Sequence, residues 1–404
     1  MNSPTEHGAP VTLTGARIIS DGTIVDDGWV RFENGRVAAR GTGAAPRSDG
    51  TTTDVEGATL TPGFIDIHVH GGGGGEASKG AAAIERMLQA HRAHGTTRSV
   101  LSLVSAPVDE LVESIHEIAP TVRADSSILG IHLEGPFISP HAKGAHDPSA
   151  LLAPTAADVQ ALLAAAGGTL AQVTIAPELP GAIDAIHALT EADVRVAVGH
   201  TTADLDLAAT AFDAGASLLT HAFNAMPVLA HRAPGPVGAA IRSEDVVLEL
   251  IADGLHVHPI LIAALFALAP GRIALVTDAM AAAGQADGEY RLGPFKVLVQ
   301  DGAARLPDGT LAGSTLTLDT AIRIAVTAGV PVEDAIRAAT TTPARAIGRT
   351  EFGGLTVGSP ADAVLLNDAL EVQAVWVDGA RISSPQPGPI SPAPVRRDQP
   401  TLPA

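Results

Sequence analysis

Eight short runs of strand-forming residues succeed one another between residues 64 and 279, each separated from the next by an Ala-rich stretch with helical spacing. They read FIDIHVH, TRSVLSLV, SILGIHLE, QVTIAPE, VRVAVGH, SLLTHAF, VLELIAD and RIALVTDA. Strands that alternate with helices build parallel sheets, and eight such units close on themselves. The pattern therefore predicts an α/β chain with a (β/α)8 TIM-type barrel over residues 62–351. Stretches such as AAAIERMLQAHRAH, in which Ile84, Leu88 and His91 share a face, and TAADVQALLAAAG would form its outer ring. After the eighth run, GEYRLGPFKVLVQDGAARLPDG reads as a hairpin insertion, followed by two helices, LTLDTAIRIAVTAG and PVEDAIRAATTTPARAIG.

The flanks read differently. Residues 11–61 are short strands and turns, with Asn34-Gly35 as a hairpin signal, and the same style returns over residues 352–384. The two segments are expected to join in one smaller, discontinuous β-sandwich domain. Residues 1–10 and the Pro-rich residues 385–404 read as flexible tails.

Composition excludes several classes. The chain has no cysteine, so disulfides and thiolate ligands are ruled out and any metal must use His, Asp, Glu or water. A net charge of −19 argues against nucleic acid and anionic membrane surfaces as partners. The longest clean apolar run, residues 260–269, is far short of the roughly 20 residues of a membrane span. With no signal-like N-terminus, a cytoplasmic location is expected.

In GFIDIHVHGGGGG, Asp66, His68 and His70 alternate along a strand and project to one side, and the glycines let backbone pass close by. Neither G-x-G-x-x-G nor G-x-x-x-x-G-K-[ST] can be laid on these glycines. An H-x-H pair is weak on its own, because buried histidines more often satisfy core hydrogen bonds. The other strand ends change the balance: Glu134 closes the third run, His200 the fifth, His221 the sixth and Asp278 the eighth. Barrel chemistry sits at strand C-termini, so four histidines and two carboxylates would converge there as a metal site.

The remaining histidines read as structural or solvated. His132, one layer below Glu134, is a hydrogen-bonded core residue; His91, His94, His116 and His187 belong to helical stretches; His7, His231 and His258 lie in a tail and loops. Glu178 ends the fourth run, with a structural and a binding role equally open. G-x-S-x-G is absent.

The H-x-H pair followed by HLEGPF, VGHT, THAFNAM, IADGLH, LVTDAM and LAGS, in this order, resembles the N-acetylglucosamine-6-phosphate deacetylase family of the amidohydrolase superfamily. TPGFID and GLTVGSPADAVLL resemble the superfamily's transitions between sandwich and barrel. The resemblance implies a metal-dependent hydrolase that removes the acetyl group from a phosphorylated amino sugar, giving glucosamine 6-phosphate and acetate. It implies metal ligation by Glu134, His200 and His221, with His68 and His70 able to hold a second ion. Asp278 would be the acid/base and His256 would polarise the amide carbonyl. His146, Asn224 and Ala225 would contact sugar and phosphate, and Arg232 would bind the phosphate. Leu311, Ala312, Gly313 and Ser314 would form a loop that closes on the substrate. No lysine fits a carboxylated bridging role, since Lys143 lies in a loop after the third run. The cofactor would be one or two divalent ions per chain, zinc first, with iron, manganese and cobalt also compatible with nitrogen and oxygen ligands. A homodimer is the expected assembly.

The alternative is another amidohydrolase acting on an N-acylated sugar or amino acid; adenine deaminase and dihydroorotase readings fit HAFNAM and Arg232 poorly. A catalytically dead barrel scaffold would have lost ligands that this chain keeps, and an amino-sugar binding protein would have no use for Asp278 as a base.

Overall fold

The computed structural model describes residues 9–382; the expected tails fall almost wholly outside them. All eight runs form strands: Phe64–Val69, Thr96–Val104, Ile128–Glu134, Leu170–Ile175, Arg195–Val198, Leu218–Leu219, Val247–Ile251 and Ile273–Val276. They make one parallel sheet in sequential order, each strand bonded to the next. The first and eighth strands share no regular ladder, but the Asp278 N–H donates to the His68 carbonyl (2.8 Å) and the His70 N–H to the Ala279 carbonyl (2.9 Å), so the barrel is nearly closed. Strands buried on both faces are mainly apolar, and the polar residues these runs do carry must find hydrogen-bond partners inside the barrel. Helices cover the outside. The helix Ala156–Ala166 shows why local sequence suffices there: Thr155 and Asp158 form a capping box, and Gly167 ends it in the left-handed conformation.

One expectation is corrected. PVEDAIRAATTTPARAIG forms two helices, Val332–Ala338 and Thr341–Ala346, instead of one. Pro343 has no N–H to give the carbonyl four residues back, that of Ala339, and its ring would clash with it. That carbonyl accepts the Ile65 N–H from the first barrel strand instead (2.8 Å), so the break ties the helical layer to the barrel.

The insertion folds as three antiparallel strands, Gly288–Leu292, Phe295–Gln300 and Ala303–Arg305. The smaller domain draws on both ends of the chain. Val11–Ser20, Thr23–Glu33, Arg36–Thr42, Thr51–Asp54 and Thr59–Pro62 join Ala363–Leu366, Val372–Val377 and Ala380–Arg381 in one continuous eight-stranded sheet. Phe32 and Trp376 lie on strands four places apart in that sheet, yet their ring centroids are 6.2 Å apart. At about 4.8 Å per strand a flat sheet would separate them by roughly 19 Å, so the sheet folds over and encloses its own core. Leu13, Val30, Leu60 and Ala363 fill that core with them.

Arg98 fastens this domain to the barrel. It is buried in the second barrel strand, and its guanidinium meets Asp362 at 2.6 and 2.9 Å and Asp378 at 2.6 Å. These carboxylates raise its pKa against the burial that opposes the charge. Among the described residues, no helix is long and apolar enough to cross a membrane.

Candidate metal centre

The first strand delivers His68 and His70 to the rim on one face, as the alternation requires, and the chain then turns back in a glycine hairpin. Gly73 and Gly74 adopt positive φ values of 58° and 78° at its tip. A side chain on Gly71 would place its Cβ 2.7 Å from the Ala281 backbone nitrogen, so the hairpin lies flat against the segment that follows Asp278.

Six side chains converge above the barrel. His200 and His221 each bring Nε2 to Glu134 Oε1, at 3.1 and 3.0 Å, and the two nitrogens are 3.0 Å apart. Glu134 Oε2 lies 3.0 Å from His70 Nε2, and His68 Nε2 lies 3.4 Å from Oε1. Asp278 Oδ1 approaches His70 Nε2 at 3.3 Å and His68 Nε2 at 3.6 Å. The donors form two overlapping groups, Glu134 with His200 and His221, and Glu134 with His68, His70 and Asp278. Donor atoms this close can share an ion at the about 2.0 to 2.2 Å typical of zinc with nitrogen and oxygen. His200, His221 and Asp278 hold φ of 46°, 26° and 48°, a region that non-glycine residues seldom adopt and that tends to occur at functional sites.

Electrostatics favours a cation. Glu134, Asp278 and Glu249 are buried together, and among the described residues none of them pairs with lysine or arginine. Burial would raise Glu134, but the charge of His68 and hydrogen bonds from His146, His200 and His221 hold it well below the usual carboxylate range. Burial likewise opposes charge on His70, yet Asp278 and Glu134 carry it up to about 9. The carboxylates thus draw positive charge into the pocket, and a divalent ion can replace those protons. The cluster fits a divalent metal site.

A polar layer lies beneath. His132, fully buried, bonds Ser102 and Thr174 at 2.9 Å each, as expected of a core histidine, and burial keeps it well below its ordinary pKa. Asp66, pushed up to about 7 by burial, takes the hydroxyl of Thr277 and the His68 N–H. Glu249 and Gln172 complete this layer, and neither was singled out by the sequence reading. A carboxylate inside the apolar run VLELIAD was the available signal.

Other expected residues fall as follows. His146 is buried, with Nε2 3.4 Å from Glu134 Oε2 and Nδ1 2.8 Å from Ser105 Oγ; burial lowers it to about 4. His256 bonds Asp253 at 2.6 Å, and the negative charges of Asp253 and Asp278 raise its pKa despite burial. Asn224 spends its amide hydrogens on the His221 and Ala222 carbonyls at 3.2 Å, leaving its oxygen free to accept. Ala225 is half-buried, and its carbonyl takes the Thr201 N–H at 3.1 Å. Arg232 is exposed, with no side-chain hydrogen bond or ion pair among the described residues. Leu311, Ala312, Gly313 and Ser314 run beside Asp278: the Ser314 N–H donates to the Asp278 carbonyl at 2.8 Å, and its hydroxyl to the Thr277 carbonyl at 2.5 Å. Glu178, left open by sequence, is structural, because it holds Thr201 and Thr202 just after His200. His91 and His94 are buried, bonding Gly71 and Asp319; His116, His187 and His231 are exposed, and His258 caps the helix Pro259–Leu268.

Comparison with known proteins gives a consistent answer. The profile described as the Amidohydrolase family matches residues 59–382. The N-acetylgalactosamine-6-phosphate deacetylase of Escherichia coli O157:H7 is 38% identical, over 88% of this chain and 96% of that protein. The N-acetylglucosamine-6-phosphate deacetylase of Mus musculus is 36% identical, over 92% of this chain and 95% of that protein. The crystal structure of N-acetyl-D-glucosamine-6-phosphate deacetylase from Mycobacterium smegmatis superposes with a TM-score of 0.88 at 41% identity, covering 92% of this chain and 100% of that one. A mutant of that enzyme in complex with N-acetyl-D-glucosamine-6-phosphate gives a TM-score of 0.89 at 41% identity, covering 93% of this chain and 99% of that one. With strand order, metal-type donors and these likenesses in agreement, the chain belongs to the amidohydrolase family.

Proposed function

We propose that this chain hydrolyses the acetamide of N-acetylglucosamine 6-phosphate to glucosamine 6-phosphate and acetate. The observation that carries the reading is the buried carboxylate and imidazole cluster, whose negative charge has no lysine or arginine to balance it, set in a chain 41% identical to the deacetylase crystallised with that sugar phosphate. Glu134, His200 and His221 would hold one divalent ion, zinc first, and His68 and His70 would be able to hold another. A cation bound there supplies Lewis acidity, polarising water and the acetamide carbonyl.

The chain's own residues do the rest. Asp278, with Oδ1 3.3 Å from His70 Nε2 and 3.6 Å from His68 Nε2, accepts a proton from the attacking water and returns it to the sugar nitrogen as the C–N bond breaks. His256, whose pKa Asp253 raises against the burial that lowers it, donates to the carbonyl oxygen as negative charge develops there. Neutral His146 and the oxygen of Asn224 line the sugar site with Ala225, and the segment from Leu311 to Ser314 flanks Asp278 on the other side. Arg232 takes the phosphate, and its having no carboxylate partner among the described residues supports that role. A charged sugar phosphate stays on the side of the membrane where it is made, which supports a cytoplasmic enzyme.

A second reading is favoured by the 38% identity to the galactosamine enzyme, whose substrate carries the same acetamide on a sugar epimeric at one hydroxyl. Amine release from both sugar phosphates, before and after chelation and after restoring a divalent ion, decides between them. Full activity in metal-free protein would sink the metal-dependent reading.

A further inference from the structure

Glu249 stands in the seventh barrel strand with its side chain wholly buried beneath the cluster. Its Oε1 accepts the Gln172 amide at 2.6 Å. Its Oε2 lies 3.0 Å from His68 Nδ1 and 3.4 Å from the backbone nitrogen of His221. Its backbone carbonyl also accepts the Ala222 N–H at 2.8 Å. Oε1 thus faces the amide hydrogens of Gln172 and Oε2 the fixed backbone N–H of His221, which sets both oxygens as acceptors. With Nδ1–H given to Glu249, Nε2 is the nitrogen whose proton an ion can replace, and its lone pair is then directed at Glu134 and Asp278. The same carboxylate touches one residue from each donor group, since His68 belongs to one and His221 to the other.

We propose that Glu249 is the positioning residue of this centre: it fixes the tautomer and ring orientation of His68 and ties the two donor groups together from below. It never reaches the reacting atoms. The inference rests on the metal-dependent reading above.

Wild type, Glu249→Gln, His68→Ala and the double variant are stripped of metal and titrated with zinc in competition with a chromophoric chelator. Glu249→Gln presents an amide NH2 or a weaker acceptor to Nδ1, and zinc affinity is expected to fall by about 10 to 100-fold. Thermal unfolding of the metal-free variant is expected to stay close to that of metal-free wild type. In the His68→Ala background, Glu249→Gln is expected to add less than about a two-fold change, because the partner it acts through is gone. Gln172→Leu removes the bond that holds Glu249 and touches no ligand, so a smaller loss in the same direction is expected; should Glu249→Gln fail to fold, this variant decides. Unchanged affinity in the variants, or the same loss with and without His68, overturns the proposal while the metal-dependent reading stands. Wild type that binds no zinc overturns both.

Discussion

Thr277 donates its hydroxyl to Asp66 Oδ2 at 2.5 Å, across the seam where the eighth barrel strand meets the first. The Thr277 N–H approaches Oδ1 of the same carboxylate at 3.3 Å, so one side chain stands in for the missing strand ladder. Asp66→Ala would leave the Thr277 hydroxyl and the His68 N–H buried without an acceptor, each worth about 1 to 3 kcal/mol. Urea unfolding of metal-free protein is expected to show a loss of about 3 kcal/mol, and Asp66→Asn a smaller one. A change below about 1 kcal/mol in the alanine variant would mean that the backbone bonds above close the seam unaided.

Asp278→Asn preserves size and the backbone bonds around residue 278 but removes the proton acceptor. Turnover is expected to fall by about 100-fold or more, while a non-hydrolysable substrate analogue still binds. Near-normal turnover would assign the base to another group.

The phosphate contact separates from the chemistry through Arg232. A charge-assisted bond contributes about 1.5 to 3 kcal/mol, so Arg232→Ala should lower kcat/KM for the 6-phosphate by about 10 to 100-fold. Activity on unphosphorylated N-acetylglucosamine should hardly change. Equal losses on both sugars would place Arg232 in the scaffold.

Acid stability has an identifiable contributor at Asp319. Burial would raise this carboxyl, but His94 at 3.2 Å, Arg323 at 2.9 Å and the Thr317 hydroxyl bring it to about 2. A folded-state pKa below the unfolded value stabilises above about pH 4 and loses that contribution as pH falls through about 2; the size is about 2 kcal/mol. The difference in unfolding free energy between wild type and Asp319→Asn should narrow from pH 5 to pH 3. A constant difference would discount the ionised group.

Strand ends were legible because a barrel puts chemistry where apolar runs stop, and His68, Glu134, His200, His221 and Asp278 all follow that rule. Glu249 was not, because inside VLELIAD its neighbours are apolar and only the closed sheet reveals that it points at His68. His146 lies between two short 3-10 turns, Pro140–Ala142 and Pro148–Ala150, where no periodicity forecasts the path; resemblance placed it at the site, and distance to Glu134 puts it beside the donors. The helix break at Thr340 escaped because Pro343 is tolerated in a first turn, and only the demand of Ile65 for a carbonyl shows why a new helix begins there. The fold-over of the smaller sheet brings Phe32 and Trp376 together from strands four places apart, a meeting that no local pattern encodes.

The clamp at Arg98 bears on the order in which the chain is made. Its partners Asp362 and Asp378 lie 264 and 280 residues downstream. A ribosome that has already released all eight barrel strands has yet to deliver either carboxylate. Until it does, the second strand carries a guanidinium without its two carboxylate partners. The tie between the barrel and the smaller domain is thereby made late, and no nascent or truncated chain ending before residue 362 can contain it.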